Sequence, residues 1–147
     1  MTNTELYEKD FVAWSALTAE AIREGRWSEI DQSVLAEEIE SMGRSDTRET
    51  SNRLAVLLAH LLKWQFQPEK RTSSWQITIA VQRDDVTGLL AESPSLRQKL
   101  DLPKVYQRAK KQAFYETGMP DEWGFPRECP WTLEQVLDTE YWPGDPE

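Results

Sequence analysis

The sequence predicts an all-α protein: a single-domain bundle of about five helices over residues 1–147, with a proline- and aromatic-rich C-terminal segment, 119–147, packed on its outside. Three observations carry this. Leu54, Leu57, Leu58, Leu61 and Leu62 recur at the i, i+3, i+4, i+7, i+8 spacing of one helical face. Capping residues precede each further apolar stripe, and glycine or proline follows it. After Met119 the composition turns to prolines 120, 126, 130, 143 and 146 interleaved with Trp123, Phe125, Trp131, Tyr141 and Trp142. That mixture forbids one continuous helix yet is too aromatic for a disordered tail.

The leucine stripe belongs to a central helix opening at Ser45 or Asp46, where Glu49 completes a capping signal, and closing before Pro68. Ala55, Val56 and Ala59 leave little polar surface in its middle turns, so it should be buried on most sides. Its other side presents Glu49, Asn52, Arg53, Val56, His60, Lys63 and Gln67. Chemistry in this helix belongs there.

Upstream, a first helix is expected over Leu6–Glu24, capped by Thr4, stopped by Gly25 and anchored by Phe11 and Trp14, with Trp27 as a lid over the junction. A second should run from Ile30 or Asp31 to Met42, with Gly43 as a break or C-cap. Its stripe is Leu35, Ile39 and Met42, with Glu38 in phase and Glu37 and Glu40 projecting elsewhere. Downstream, Ser74 should cap a helix to Glu92 with Trp75, Ile79, Val86, Leu89 and Leu90 inward. Ile77 and Val81 on another face suggest that it is sandwiched. Ser93-Pro94 starts a short helix to about Leu100. Asp101 caps the next, Leu102–Thr117, with Leu102, Val105, Tyr106, Ala109 and Ala113 inward, Lys104, Arg108, Lys110 and Lys111 mainly outward, and Gly118 as the stop. Thr132 and Gln135 form a capping box for one or two turns through Leu137.

Composition narrows the class. One cysteine, Cys129, permits neither an internal disulfide nor a cysteine metal cage. The absence of a cationic, apolar leader and of an apolar run of the roughly 18 residues a span needs makes a cytoplasmic protein without membrane contact the expectation. The net charge is −9. Its distribution is uneven: Lys and Arg number 6 against 12 Asp and Glu over residues 1–62, 10 against 5 over 63–111, and 1 against 9 over 112–147. A nucleic-acid binder would ordinarily be basic. The basic face from Lys99 to Lys111 nevertheless offers a subsidiary nucleic-acid reading, beside the plainer one of intramolecular complementarity.

One cluster invites a test as a site: Glu37, Glu38 and Glu40 with His60 and Lys63. Glu38, in phase with its stripe, needs a donor if buried; His60 is the first choice and Lys63 or Arg53 the next. A Glu38–His60 pair between two helices would serve as a structural bond that raises the histidine pKa. Glu38, His60 and Lys63 are the general-base candidates, and Glu37, Glu38 and His60 the metal candidates. No Glu stands three residues before His60 and there is no second histidine, so the di-metal helical-bundle pattern is missing and no cofactor is expected. Cys129, between Glu128 and Pro130, should have a raised thiol pKa. Ser15, Ser41 and Ser45 lack the nucleophile-elbow glycines, and no phosphate-cradling loop occurs. The seven tryptophans, about one per element, read as packing.

Four separated stretches, LAEEIESMGR (35–44), LLAHLLKWQFQP (57–68), SPSLR (93–97) and FPRECPWTLEQVLD (125–138), together with the N-terminal LYEKDFVAWS, resemble a bacterial family numbered 29 among the domains of unknown function. The resemblance covers almost the whole chain and departs mainly at Leu100–Tyr106, which looks shorter. It implies an all-helical fold in bacterial, especially cyanobacterial, proteins, and it brings no activity or catalytic residue. The expected function is a non-enzymatic interaction or regulatory role with a protein partner or a second copy of the chain. The alternative is a metal-dependent or general-base enzyme built on Glu38 and His60.

Overall fold

The computed structural model describes residues 1–119 and 124–144; Pro120, Trp123 and Pro146 of the C-terminal pattern lie outside the described residues. Among the described residues there are seven α-helices and no strand: α1 (Asn3–Lys9), α2 (Phe11–Arg23), α3 (Gln32–Phe66), α4 (Ser73–Glu92), α5 (Leu96–Lys99), α6 (Leu102–Thr117) and α7 (Leu133–Leu137). No described helix is long and apolar enough to cross a membrane. The chain divides into two compact units, Met1–Ser45 and Asp46–Glu147.

In the first unit, the helix expected over 6–24 is two. Asp10 leaves helical geometry at φ −149°, ends α1 and caps α2 by accepting from the Ala13 amide at 3.0 Å. The α1 cap is Thr2 in a capping box with Glu5, not Thr4, whose hydroxyl donates to Asp31 at 2.6 Å. Asn3 ties the unit together: its amide nitrogen donates to Thr18, and its Oδ1 accepts from the Trp14 indole and the Asp31 amide. The buried residues are only Trp14, Thr18, Ala21 and Ile30. Phe11 and Trp27, expected as anchor and lid, are 48% and 53% exposed, and the stripe residues Ile39 and Met42 are 60% and 62% exposed.

The break expected at Gly43 is absent, and α3 runs through it for 35 residues. Glycine costs a helix interior about 1 kcal/mol against alanine. That is a local cost which the propagating ladder on both sides absorbs.

The second unit holds the core. All five stripe leucines are fully buried with Ala55 and Ala59, against Ile79 of α4, and Val105, Tyr106, Ala109 and Ala113 of α6. Asp101 caps α6, and Gly118 closes it at φ +65°, where a side chain would be strained. The C-terminal segment goes deeper than an outer wrapping: Phe125, Trp131 and Val136 belong to the core itself. Thr132 and Gln135 form the expected capping box. Val86, Leu90 and Leu96 make a satellite cluster. Ile77 and Val81 of α4 face solvent at 62% and 48% exposed, so α4 is not sandwiched.

Arg83 of α4, 1% exposed, ties the segment down. Its Nε donates to the Val136 carbonyl at 2.8 Å and its Nη2 to the Tyr141 carbonyl at 2.7 Å, while the guanidinium lies 5.4 Å from the Trp142 ring centroid. Leu58→Ala should cost about 2–5 kcal/mol in chemical denaturation, since it opens a cavity at a fully buried site. Arg83→Met should cost about 1–3 kcal/mol by orphaning two carbonyls, with amide-exchange protection lost first in residues 131–142. An unchanged exchange pattern there would refute the clamp.

Candidate functional site

The expected Glu38–His60 pair does not form. Both residues lie on α3, about six turns apart at 3.6 residues per turn. Glu38 is partly buried and accepts from the Tyr7 hydroxyl at 2.7 Å, so its donor comes from α1. Tyr7 packs edge-on against Trp14 with centroids 4.8 Å apart, which fixes the ring that makes this bond. Glu37 is exposed, and Glu40 meets Arg44 at 3.8 Å on the surface. Among the described residues no group of three or more His, Cys, Asp and Glu is arranged to hold a metal.

His60 Nδ1 donates to the Val56 carbonyl one turn back at 2.8 Å, leaving Nε2 as the acceptor of the neutral ring. Burial pushes its pKa below the ordinary value, and the neighbouring Lys63 charge adds to this. The Val56 bond and Glu116 oppose without reversing it. The direction is opposite to that expected of a carboxylate-paired histidine.

Lys63 is where the sequence reading and the structure meet, with a different partner. Its side chain, 7% exposed, donates to Glu116 of α6 at 2.6 Å and sits 5.2 Å from the Trp75 ring centroid. Burial acts to raise the Glu116 carboxyl. Hydrogen bonds from Lys63 and from Gln112, at 2.9 Å, with the charges of Lys63 and His60, outweigh that and hold it below the usual carboxylate range. The sequence carried a signal for Glu116: it follows Ala109 by seven residues and Ala113 by three, in phase with the inward stripe of α6. Arg83 carried the same signal between Ile79 and Val86.

Arg53, the other candidate donor, bridges Glu49 at 3.2 Å and Asp85 of α4 at 2.8 Å. Cys129 has the expected raised thiol pKa, but burial rather than Glu128 is the cause, and its Sγ donates to the Trp131 carbonyl at 3.4 Å. Two clefts lie elsewhere on the chain. One of about 660 Å³ in the first unit is lined by Asn3, Thr4, Arg26 and Asp31, whose polar groups are bonded to one another or to Glu24, Glu29 and Thr18. The other, about 710 Å³ in the second unit, lies between Leu102, Pro103, Lys104 and Gln107 of α6 and Cys129 and Trp131.

The model of a domain of unknown function, DUF29, matches residues 6–142. The chain belongs to the DUF29 family. No curated protein and no solved structure matches it. For this DUF29 chain, His60, Lys63 and Glu116 form a small charged cluster beside the core, each with a protein partner.

The His60 and Glu116 shifts predict acid sensitivity in two windows. His60 binds its proton less readily folded than unfolded, so stability is full above pH 6.5 and falls as the pH drops below that value. Glu116 binds its proton less readily when folded too, so a second loss follows below pH 4.5. His60→Gln should flatten the first window and Glu116→Gln the second, read from urea midpoints against pH; because Glu116 is 41% exposed, its loss should stay near 1 kcal/mol.

Proposed function

We propose that this DUF29 protein is a non-enzymatic interaction module whose docking surface lies on residues 1–45. One observation supports this above the others. Seven of the ten large apolar side chains that are exposed among the described residues fall in that unit: Met1, Phe11, Val12, Leu17, Trp27, Ile39 and Met42. Scattered single apolar residues are normal on a surface, whereas a concentration of them within one small unit marks association. Asn3, Thr4, Arg26 and Asp31 in the cleft of the same unit are already engaged with protein partners, which favours a surface contact over a small-molecule site. Charge gives the contact its character. Residues 1–45 hold 10 Asp and Glu against 4 Lys and Arg, so the apolar side chains have an acidic surround that selects a basic partner surface.

The test is substitution at exposed positions, Val12→Asp, Ile39→Asp and Met42→Asp together, with circular dichroism to show that the helices persist. Cross-linking and co-purification from the native host, with sedimentation of the pure protein, should find a bound chain or self-association with the natural sequence. The triple variant should weaken it at least about ten-fold, since a single buried anchor is commonly worth about 2 kcal/mol. A natural chain that retains nothing, or a variant that retains the same chains equally well, would refute the reading.

A further inference from the structure

We infer that the acidic, apolar surface of residues 1–45 docks on α6 of a second copy of this chain, giving head-to-tail association; this rests on the interaction reading above. The receiving face is a stripe of Lys104, Arg108, Lys111 and Tyr115, spaced i, i+4, i+7, i+11 on the outward side of α6. All four are exposed, Tyr115 at 79%. The only acidic residue in α6 is Glu116, which is turned to Lys63 and Gln112. Arg108 donates to Asn52 at 2.8 Å, and among the described residues none of the three cations forms an ion pair. A stripe of three cations on an acidic chain is electrostatically unspent.

Three arguments choose the occupant. The chain is acidic overall at −9, which opposes a polyanion such as nucleic acid at long range while leaving a local acidic protein surface free to bind. The stripe ends beside the cleft of about 710 Å³, where Leu102, Pro103 and Trp131 offer apolar surface next to Lys104, with Asp101 and Glu128 also in its lining. Nucleic acid has no aliphatic anchor for such a cleft, but a protein surface does. The required partner therefore combines carboxylates with protruding apolar side chains. The chain's own residues 1–45 supply both, with ten Asp and Glu and the exposed Val12, Ile39 and Met42. The surface that gives and the surface that receives are different patches, so the contact is heterologous and repeats from copy to copy.

The experiment uses the full chain in analytical ultracentrifugation. The natural protein should show a mass rising with concentration beyond one chain, and raising salt from about 50 to about 500 mM should weaken association roughly ten-fold or more, as screening of facing charges requires. Two variants reverse the faces separately: Glu37→Lys with Glu40→Lys, and Lys104→Glu with Arg108→Glu and Lys111→Glu. Each alone should lose association at least about ten-fold, with helicity unchanged by circular dichroism. Mixed in equal amounts, they should associate again, because each now carries a face complementary to the other. Failure of the mixture to recover, or association indifferent to both reversals, would overturn the inference. So would a fluorescent single-stranded oligonucleotide held by the natural protein and released by the α6 reversal, which would assign the stripe to nucleic acid. If the chain stays monomeric at every concentration while the Val12, Ile39 and Met42 substitutions still abolish capture of a partner, the second-copy inference falls and the interaction reading stands. If both measurements are negative, the two fall together.

Discussion

The buried guanidinium of Arg83 is the constraint on which the larger unit depends. A cation 1% exposed loses most of its hydration, and no carboxylate among the described residues forms an ion pair with it. Burial accordingly lowers its pKa, with Asp138 opposing at longer range. What compensates is two backbone carbonyls, those of Val136 and Tyr141, and the face of Trp142. Both carbonyls belong to a stretch with little regular structure, where α7 spans five residues and the backbone on either side has no ladder to join. Charge and chain therefore satisfy each other in part: the arginine gains acceptors for Nε and Nη2 while its buried Nη1 has no partner among the described residues, and that backbone gains donors. The Tyr106 hydroxyl repeats the device by donating to the Pro126 carbonyl, and Gln107 does so to Arg127 at 3.0 Å. Side chains of α4 and α6 thus do for the C-terminal segment what neighbouring strands do in a sheet.

Much of this was legible in the sequence because helical phase survives folding. The leucine stripe, the Asp101 and Gly118 ends of α6 and the Thr132–Gln135 box all lie where local chemistry puts them. Phase also marks which polar residue turns inward, and Glu116 and Arg83 could have been found by it. What phase does not say is whether a face is covered. Leu35, Ile39 and Met42 form a true stripe with Glu38 beside it, and solvent reaches Ile39 and Met42. Cap residues misled in a related way. Ser45 and Asp46 are good helix starters but lie inside α3, because a preference worth about 1 kcal/mol does not interrupt a ladder continuous on both sides. Asp10 won where those two lost, by capping α2 with its own carboxylate.

In the cluster at His60, Lys63 and Glu116, burial and a neighbouring charge act together on the histidine. Lys63 keeps its carboxylate at 2.6 Å, yet its positive charge also lies close enough to His60 to help hold that ring neutral. A histidine meeting a bare carboxylate would move the other way. Burial sets the sign of the histidine shift, and the Lys63 charge adds to it in the same direction.

The continuity of α3 explains how the first unit keeps so much apolar surface outside. Two helices and the first turns of a third, with only Trp14, Thr18, Ala21 and Ile30 buried, are too small a core to hold helices by burial alone. Residues 32–45 need no nucleus of their own, since their backbone extends a helix already fixed by the leucines at 54–62, and adding residues to a formed helix is far cheaper than starting one. Asn3 and the Tyr7–Glu38 bond then join α1 and α2 to that extension through polar contacts. Neither device covers Val12, Ile39 or Met42, which stay exposed at 76%, 60% and 62%.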